Sequence, residues 1–300
     1  MTDIDASVLV AWGLSVVLAV AVSGGVLFLL LSSLFEFALD VPNQRSLHTV
    51  PVPRTGGWAV IVGAVSALAA SPASFAPLVV TAFLLLVVVS ALDDIRNLSV
   101  CIRLVVHIGV VSLLLAALPR SLSWWWYPLL LVGGVWVINL YNFMDGMDGF
   151  AGSMAFFGLT ILGLVSAWRG HIELAGICAV LVVCVLVFLR FNWPPARIFL
   201  GDVGSTTLGF TVFSVGLFGW QQGAFGVVLP LIIFAPFWSD ATATLLRRML
   251  QGKRWWEGHR EHWYQRGALR FGVRRTLLSE IIVMTLASTL GLALVAAGLA

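Results

Sequence analysis

The sequence predicts an all-α, polytopic membrane protein, a single integral-membrane domain over residues 1–300 with about ten transmembrane helices. Three observations predict it. First, 60% of the residues are hydrophobic and only 10% are charged, more apolar material than a soluble domain of this size can bury. Second, the apolar residues gather in ten runs: 8–35, 56–70, 75–92, 102–118, 124–141, 151–168, 173–190, 203–219, 224–246 and 276–299. Third, threading those runs alternately through a bilayer places almost every basic residue on one side.

Run 8–35 is too long, and too poor in basic residues at its start, for a cleaved signal peptide. Residues 56–92 read as two helices, because one would be about 55 Å long, nearly twice the hydrocarbon core. Pro72 and Pro77, with Ser71 and Ser74, supply the turn between them. Run 102–118 follows a short polar link, and 124–141 opens on Trp124, Trp125 and Trp126, an interfacial aromatic belt. The later runs 151–168, 173–190, 203–219, 224–246 and 276–299 are separated by polar loops. Several runs fall short of the roughly 20 residues a straight span needs, so those helices extend into their flanks or line the interior. Cys101, Cys178 and Cys184 lie in or beside runs and read as small buried residues, with no disulfide framework.

With ten spans, Arg120 and Arg169 lie on the side that holds both termini. The other 15 of the 17 basic residues share the opposite side, from Arg45 and Arg54 to Arg274 and Arg275. The positive-inside rule makes the rich side cytoplasmic and both termini periplasmic. Asp93, Asp94, Asp145, Asp148 and Asp202, all at ends of apolar runs, then meet at the cytoplasmic face. Acids beside lipid are costly, and a group of them at one interface points to a bound cation, which in turn suits phosphate chemistry.

Asp93 and Asp94 end the third run in ALDDIRNLSVCIRL. A helix C-terminus disfavours negative charge, so a nearby cation would offset the cost; a solvated helix end is the plainer alternative. Arg96 and Arg103 follow as helix-end partners or phosphate contacts. In NLYNFMDGMDGFAG, Asn139, Asn142, Asp145 and Asp148 recur every third residue, on adjoining parts of one helix face. Gly146, Gly149 and Gly152 allow a backbone to approach a ligand there, although a polar turn would use the same residues. In RFNWPPARIFLGDVGSTTLGF, Asp202, Gly204 and Ser205 open a helix whose free N–H groups favour anions, and Phe199 offers a ring. Asp202 or Ser205 as a simple cap is the alternative. Loop 247–275 carries nine of the 17 basic residues, including Arg260 and Arg266. His259 and His262 lie among them and read as a diphosphate clamp, while Arg247, Arg248, Arg274 and Arg275 read as membrane anchors. The first polar loop offers His48 and VPRTGG, in which Arg54 can close over phosphate.

Together the Asp-Asp pair, NxxNxxDGxDG and FLGDxGS resemble the polyprenyl-phosphate N-acetylhexosamine-1-phosphate transferase family, in matching order from His48 to about Arg266. The resemblance implies a bundle of about ten helices with a cytoplasmic active site in a bacterial inner membrane. It implies transfer of a sugar 1-phosphate from a UDP-N-acetylhexosamine to undecaprenyl phosphate, with release of UMP. By motif match Asp202 would be the principal Mg²⁺ ligand, with Asp93 and Asp94 at the metal and lipid-phosphate end; Mn²⁺ is the alternative ion. Asp148 and Phe199 would lie at the uridine, while Asn142, Asp145, His259 and His262 would line the diphosphate and sugar pocket. Asp93, Asp94, Asp145, His259 and His262 are thus the expected catalytic residues. Asn139, Asn142, Asp148, Phe199, Gly201, Ser205, His48, Arg54, Arg103, Arg260 and Arg266 are the expected substrate contacts. The expected partners are the two substrates and the lipid bilayer, not nucleic acid, with a homodimer left open.

The chain departs from the family pattern at His107, a position where glutamine is frequent, and at Arg103, where lysine is frequent. HREHWYQR lacks the triple histidine of the peptidoglycan branch and looks more like the O-antigen initiating branch. A phospho-MurNAc-pentapeptide transferase is the alternative within the family. The rival of another class is a cation-coupled transporter, which also uses intramembrane carboxylates, typically near the midplane and in repeated halves.

The charge asymmetry yields the first prediction. Cysteines placed at residues 44 and 258 are labelled by an impermeant reagent from the cytoplasm only. Labelling of either in intact cells reverses the orientation.

Overall fold

The computed structural model describes residues 6–32, 38–42, 47, 50–118, 122–253 and 259–299. It is an all-α membrane bundle. The helices are α1 Ala6–Leu30, α2 Gly56–Ala69, α3 Pro77–Arg96, α4 Val100–Ala116, α5 Trp126–Met144, α6 Phe150–Trp168, α7 Ile172–Asn192, α8 Gly201–Gln221, α9 Val228–Ile233, α10 Ala235–Leu250, α11 Trp263–Phe271 and α12 Val273–Ala296. Between α1 and α2 lies a small antiparallel hairpin, β1 Leu39–Asp40 and β2 Val52–Pro53, which pairs Leu39 with Pro53 and Asp40 with Val52. His48 lies outside the described residues.

Local sequence sets the ends. Pro77 opens α3, where its missing N–H costs nothing, and Asn97 in the left-handed conformation closes it. Ser99 caps α4 by accepting the Ile102 N–H at 3.4 Å. Glu173 in the first turn and Arg190 in the last complement the α7 dipole.

Among the described residues seven helices are long and apolar enough to cross a membrane: α1, α3, α5, α6, α7, α8 and α12. The apolar helices α2 and α4 are shorter, at 14 and 17 residues. One expectation changes. Run 224–246 is not a single helix but breaks at Phe234 into α9 and α10. Pro236 is the cause, since it has no N–H to donate and its ring clashes with the carbonyl four residues back. Beyond the break, α10 buries Asp240, Thr244 and Arg248, spaced four apart along one polar face.

The axis of the bundle is α8, which packs against α2, α3, α5, α6 and α7. Both α6 and α8 are largely enclosed, whereas α1 and α12 turn apolar side chains such as Leu14, Phe28, Ile282 and Leu286 outward, as lipid contact requires. Within the bundle Ser90 on α3 and Thr206 on α8 share a buried hydrogen bond of 2.7 Å. At the crossing of α2 and α8 the backbones touch, and a Cβ on Gly57 would collide with the Cα of Gly204. Gly57→Val therefore costs about 1–3 kcal/mol of stability. The check is the thermal unfolding midpoint in detergent, and an unchanged midpoint contradicts the close crossing.

Candidate active site

The site begins with one carboxylate. Asp94, in the last turn of α3, accepts the Asp202 N–H at Oδ1 (2.9 Å) and the Val203 N–H at Oδ2 (3.0 Å). These are N–H groups of the first turn of α8, which have no partner within the helix. Gly201 begins α8 with a φ of +75°, and a Cβ there would run into the Arg54 carbonyl. Arg54 in turn donates to the Asp94 carbonyl at 2.9 Å, and its Nε lies 3.9 Å from Oδ1. Backbone bonds stitch the two loops together: Gly56 N–H to Phe199 O (2.8 Å), Gly57 N–H to Leu200 O (2.8 Å) and Phe199 N–H to Pro53 O (2.7 Å). The FLGD and VPRTGG segments, far apart in sequence, form one unit.

Asp93 also lies against the Asp202 side chain. It accepts the Leu98 N–H at 2.6 Å and pairs with Arg103 on α4 at 3.3 Å. From the end of α5, Asn142 donates to Asp202 Oδ1 at 2.6 Å and to Ser205 Oγ at 3.1 Å. One turn earlier, Asn139 does not reach Asp202. Its amide donates to Val135 O at 2.7 Å and faces His107 Nδ1 at 3.1 Å. The three-residue spacing therefore divides: Asn142, Asp145 and Asp148 line the site, and Asn139 holds α4 to α5.

Asp148 accepts the Ala196 N–H at 2.9 Å, which ties the DGMDG turn to the proline loop. A residue that sequence reasoning missed makes the same join. Asn192, buried at the end of α7, accepts the Gly149 N–H at 2.8 Å and donates to Ile198 O at 2.9 Å. Its only signal was a carboxamide closing an apolar helix.

These elements enclose a polar cavity of about 450 Å³, lined by Arg54, Asn142, Asp145, Asp148, Asn192, Phe199, Gly201, Asp202 and Gln265, among others. Burial raises the pKa of Asp145 well above the usual carboxylate range, and the charges of Asp202, Asp94 and Asp148 add to it. A cation would oppose that shift. Among the described residues no three His, Cys, Asp or Glu side chains could hold a metal by themselves. Mg²⁺ does not need such a cage. It is commonly held by one or two carboxylates and completed by substrate phosphate and water, and the all-oxygen set around Asp202 and Asp145 fits that requirement. The Nε of Arg54 is buried without a hydrogen-bond partner among the described residues, its nearest charge being Asp94 at 3.9 Å, and the Arg54 side chain lines the same cavity, which suits an anion there.

His259 and His262 stand beside the cavity without lining it. The His259 and His262 rings stack at 4.8 Å. Burial pushes the His259 pKa down to about 4, with His262 and Arg248 adding to the effect, so the ring is neutral near pH 7. Arg260 and Arg266 are exposed and do not line the cavity either. Two acids that sequence reasoning passed over hold this segment. Asp240 on α10 accepts from Thr244 Oγ1 (3.0 Å), Trp263 N–H (2.9 Å) and Tyr264 N–H (3.1 Å), and meets His262 Nδ1 at 3.4 Å. Glu261 pairs with Arg247, Arg248 and Lys253. A lone acid inside run 224–246 was the available signal for Asp240.

Residues 76–219 match the model of glycosyl transferase family 4, a stretch that holds all five acids. The undecaprenyl-phosphate alpha-N-acetylglucosaminyl 1-phosphate transferase of Yersinia pestis is 30% identical over 246 residues, 75% of this chain and 67% of that protein. The chain belongs to the polyprenyl-phosphate hexosamine-1-phosphate transferase family. A second family member, the probable undecaprenyl-phosphate N-acetylglucosaminyl 1-phosphate transferase of Bacillus subtilis, is 30% identical over 232 residues, 71% of this chain. The chain spans 64% of the length of that relative. A shorter match, 48% identical over 81 residues, joins 27% of the chain to 26% of the phospho-N-acetylmuramoyl-pentapeptide-transferase of Clostridium perfringens.

Two acids of the site, Asp94 and Asp145, behave differently on substitution. Asp94→Ala leaves N–H groups of α8 unpaired and costs about 1–3 kcal/mol. Asp145→Asn removes a charge from a crowd of like charges and leaves the unfolding midpoint unchanged or higher. Equal midpoints for the two variants contradict the assignment of Asp94 to the α8 N-terminus.

Proposed function

We propose that this membrane protein transfers an N-acetylhexosamine 1-phosphate from its UDP-sugar to undecaprenyl phosphate, releasing UMP, with Mg²⁺ as cofactor. The observation that carries the reading is the cavity at the helix ends, where Asp145, Asp148 and Asp202 face Arg54. A water-soluble nucleotide and a phosphate carried on a lipid can meet only at such an interface. The charge asymmetry of the loops favours the cytoplasmic face of a bacterial inner membrane. The names of the Yersinia and Bacillus relatives favour N-acetylglucosamine as the sugar, and the 6-deoxy sugars N-acetylfucosamine and N-acetylquinovosamine are the other donors to test. The HREHWYQR segment favours initiation of a surface polysaccharide such as O-antigen over the peptidoglycan reaction.

The reaction exchanges one phosphoanhydride for another. An oxygen of the lipid phosphate attacks the β-phosphorus of the donor, and the bond from that phosphorus to the UMP oxygen breaks. A phosphomonoester has its second pKa near 6, so the acceptor is mostly a dianion at neutral pH and needs little help from a base. The obstacle is bringing two anions together. A bound Mg²⁺ would neutralise the donor diphosphate and the departing UMP. Asp202, held by Asn142, and Asp145 would hold it. Arg54 supplies a fixed positive charge at the cavity wall, and Phe199 a face on which a base can stack. A transporter is disfavoured because the acids gather at helix ends rather than along one intramembrane path.

With a donor labelled at the β-phosphorus, label moves to a chloroform-soluble lipid while unlabelled UMP is released, and excess UMP reverses the transfer. Release of UDP instead would indicate ordinary glycosyl transfer. Asp202→Asn abolishes turnover in a protein that still folds, and EDTA does the same to the wild type. Full activity of the variant in EDTA contradicts the metal assignment.

A further inference from the structure

Helix α11 brings one more side chain to the cavity wall. Gln265 is 7% exposed, lines the cavity beside Asp145 and Gly146, and its Oε1 has no hydrogen-bond partner among the described residues. The neighbours fix which way the amide faces. The Tyr264 hydroxyl donates its proton to the Phe143 carbonyl at 3.0 Å, so toward Gln265 it can only accept. The Gln265 side chain bonds that hydroxyl, which requires the amide NH₂ there. A Cβ added at Gly146 would lie 3.0 Å from Gln265 Nε2, so the amide rests directly on the Asp145–Gly146 turn. The carbonyl oxygen is therefore the end left over. A buried acceptor without a donor is costly, and one in the wall of a binding cavity is explained by a ligand that pairs with it.

We propose that Gln265 is a specificity residue for the sugar-nucleotide donor, its Oε1 accepting a hydrogen bond from a hydroxyl or amide N–H of that ligand. The proposal rests on the transferase reading above. A diphosphate carries no proton at neutral pH, so the phosphates are not what this oxygen reads. Two sources of the same chemistry remain: the hydroxyls and acetamido N–H of the sugar, and the ribose hydroxyls and uracil N3–H of the nucleoside. The adjoining Asp145, Asp148 and Asp202 offer only acceptors when ionised, so a ligand proton turned this way finds an acceptor at Gln265 without adding to the negative charge.

The test is a donor panel on the full-length protein in detergent, with undecaprenyl phosphate and Mg²⁺. The donors are UDP-N-acetylglucosamine, its C4 epimer, its 6-deoxy form and UDP-glucose. Gln265→Met keeps the length and removes both the donor and the acceptor. Its kcat/KM for the preferred donor falls about 5–10-fold, the size of one hydrogen bond. The fall is mainly in KM, with kcat nearly unchanged. If the sugar is read, the preference between donors shrinks by the same factor and inhibition by UMP is unaltered. If the nucleoside is read, UMP inhibition weakens by that factor and the sugar preference stays. Gln265→Asn keeps the amide but withdraws it by one methylene, and gives the same pattern should the Met protein not fold. An equal loss for every donor with unchanged UMP inhibition, unchanged kinetics throughout, or a raised Mg²⁺ requirement overturns the proposal. Absence of transfer by the wild type from every donor would instead overturn the transferase reading itself.

Discussion

The site depends on one interaction between helix ends. Asp94 sits at the C-terminus of α3, where the helix dipole disfavours a negative charge. Its oxygens accept two N–H groups at the N-terminus of α8, where the dipole favours one. The cost at one helix is offset at the other, and Arg54 adds a positive charge alongside. The same bonds fix where Asp202 stands, because its own backbone N–H is one of those held.

Close backbone packing carries the constraint outward. Where α2 and α8 cross at Gly57 and Gly204, no side chain separates the helices, so small shifts are resisted. Three backbone hydrogen bonds tie residues 53–57 to 199–200 just above that crossing. Asn192 and Asp148 then fasten the DGMDG turn to the loop between α7 and α8. The acids are thus positioned by backbone and short side chains, which lose little conformational freedom on ordering. Such rigidity suits a site that must hold several like charges close together.

A second support comes from the far side of the broken ninth segment. The break at Phe234 frees α10 to present Asp240 and Arg248 to the loop that carries the histidines. Asp240 caps α11 by accepting the N–H groups of Trp263 and Tyr264. Tyr264 then reaches the Phe143 carbonyl, two residues before Asp145. Polar residues in an otherwise apolar run here hold the wall of the cavity, while the ligand-facing atoms come from other elements.

Periodicity and composition by themselves determined the all-α membrane class and most helix positions, because roughly 20 consecutive apolar residues have few other structures open to them in lipid. Side-chain chemistry at the ends of the runs singled out Asp93, Asp94, Asp145, Asp148 and Asp202 as one group, since acids beside lipid require a reason. The tertiary structure decided what each acid touches. Adjacent residues on a helix diverge by about 100°, so Asp93 meets Arg103 as well as the Asp202 side chain while Asp94 takes the backbone N–H groups of α8, a difference that sequence spacing does not reveal. It also decided that Asn139 holds His107 rather than the cavity, that Asn192 and Asp240 join separate elements, and that Gln265 lines the cavity. Each of these is a single polar residue whose partner lies on another helix, and a partner chosen by packing across the bundle leaves no local pattern in the chain.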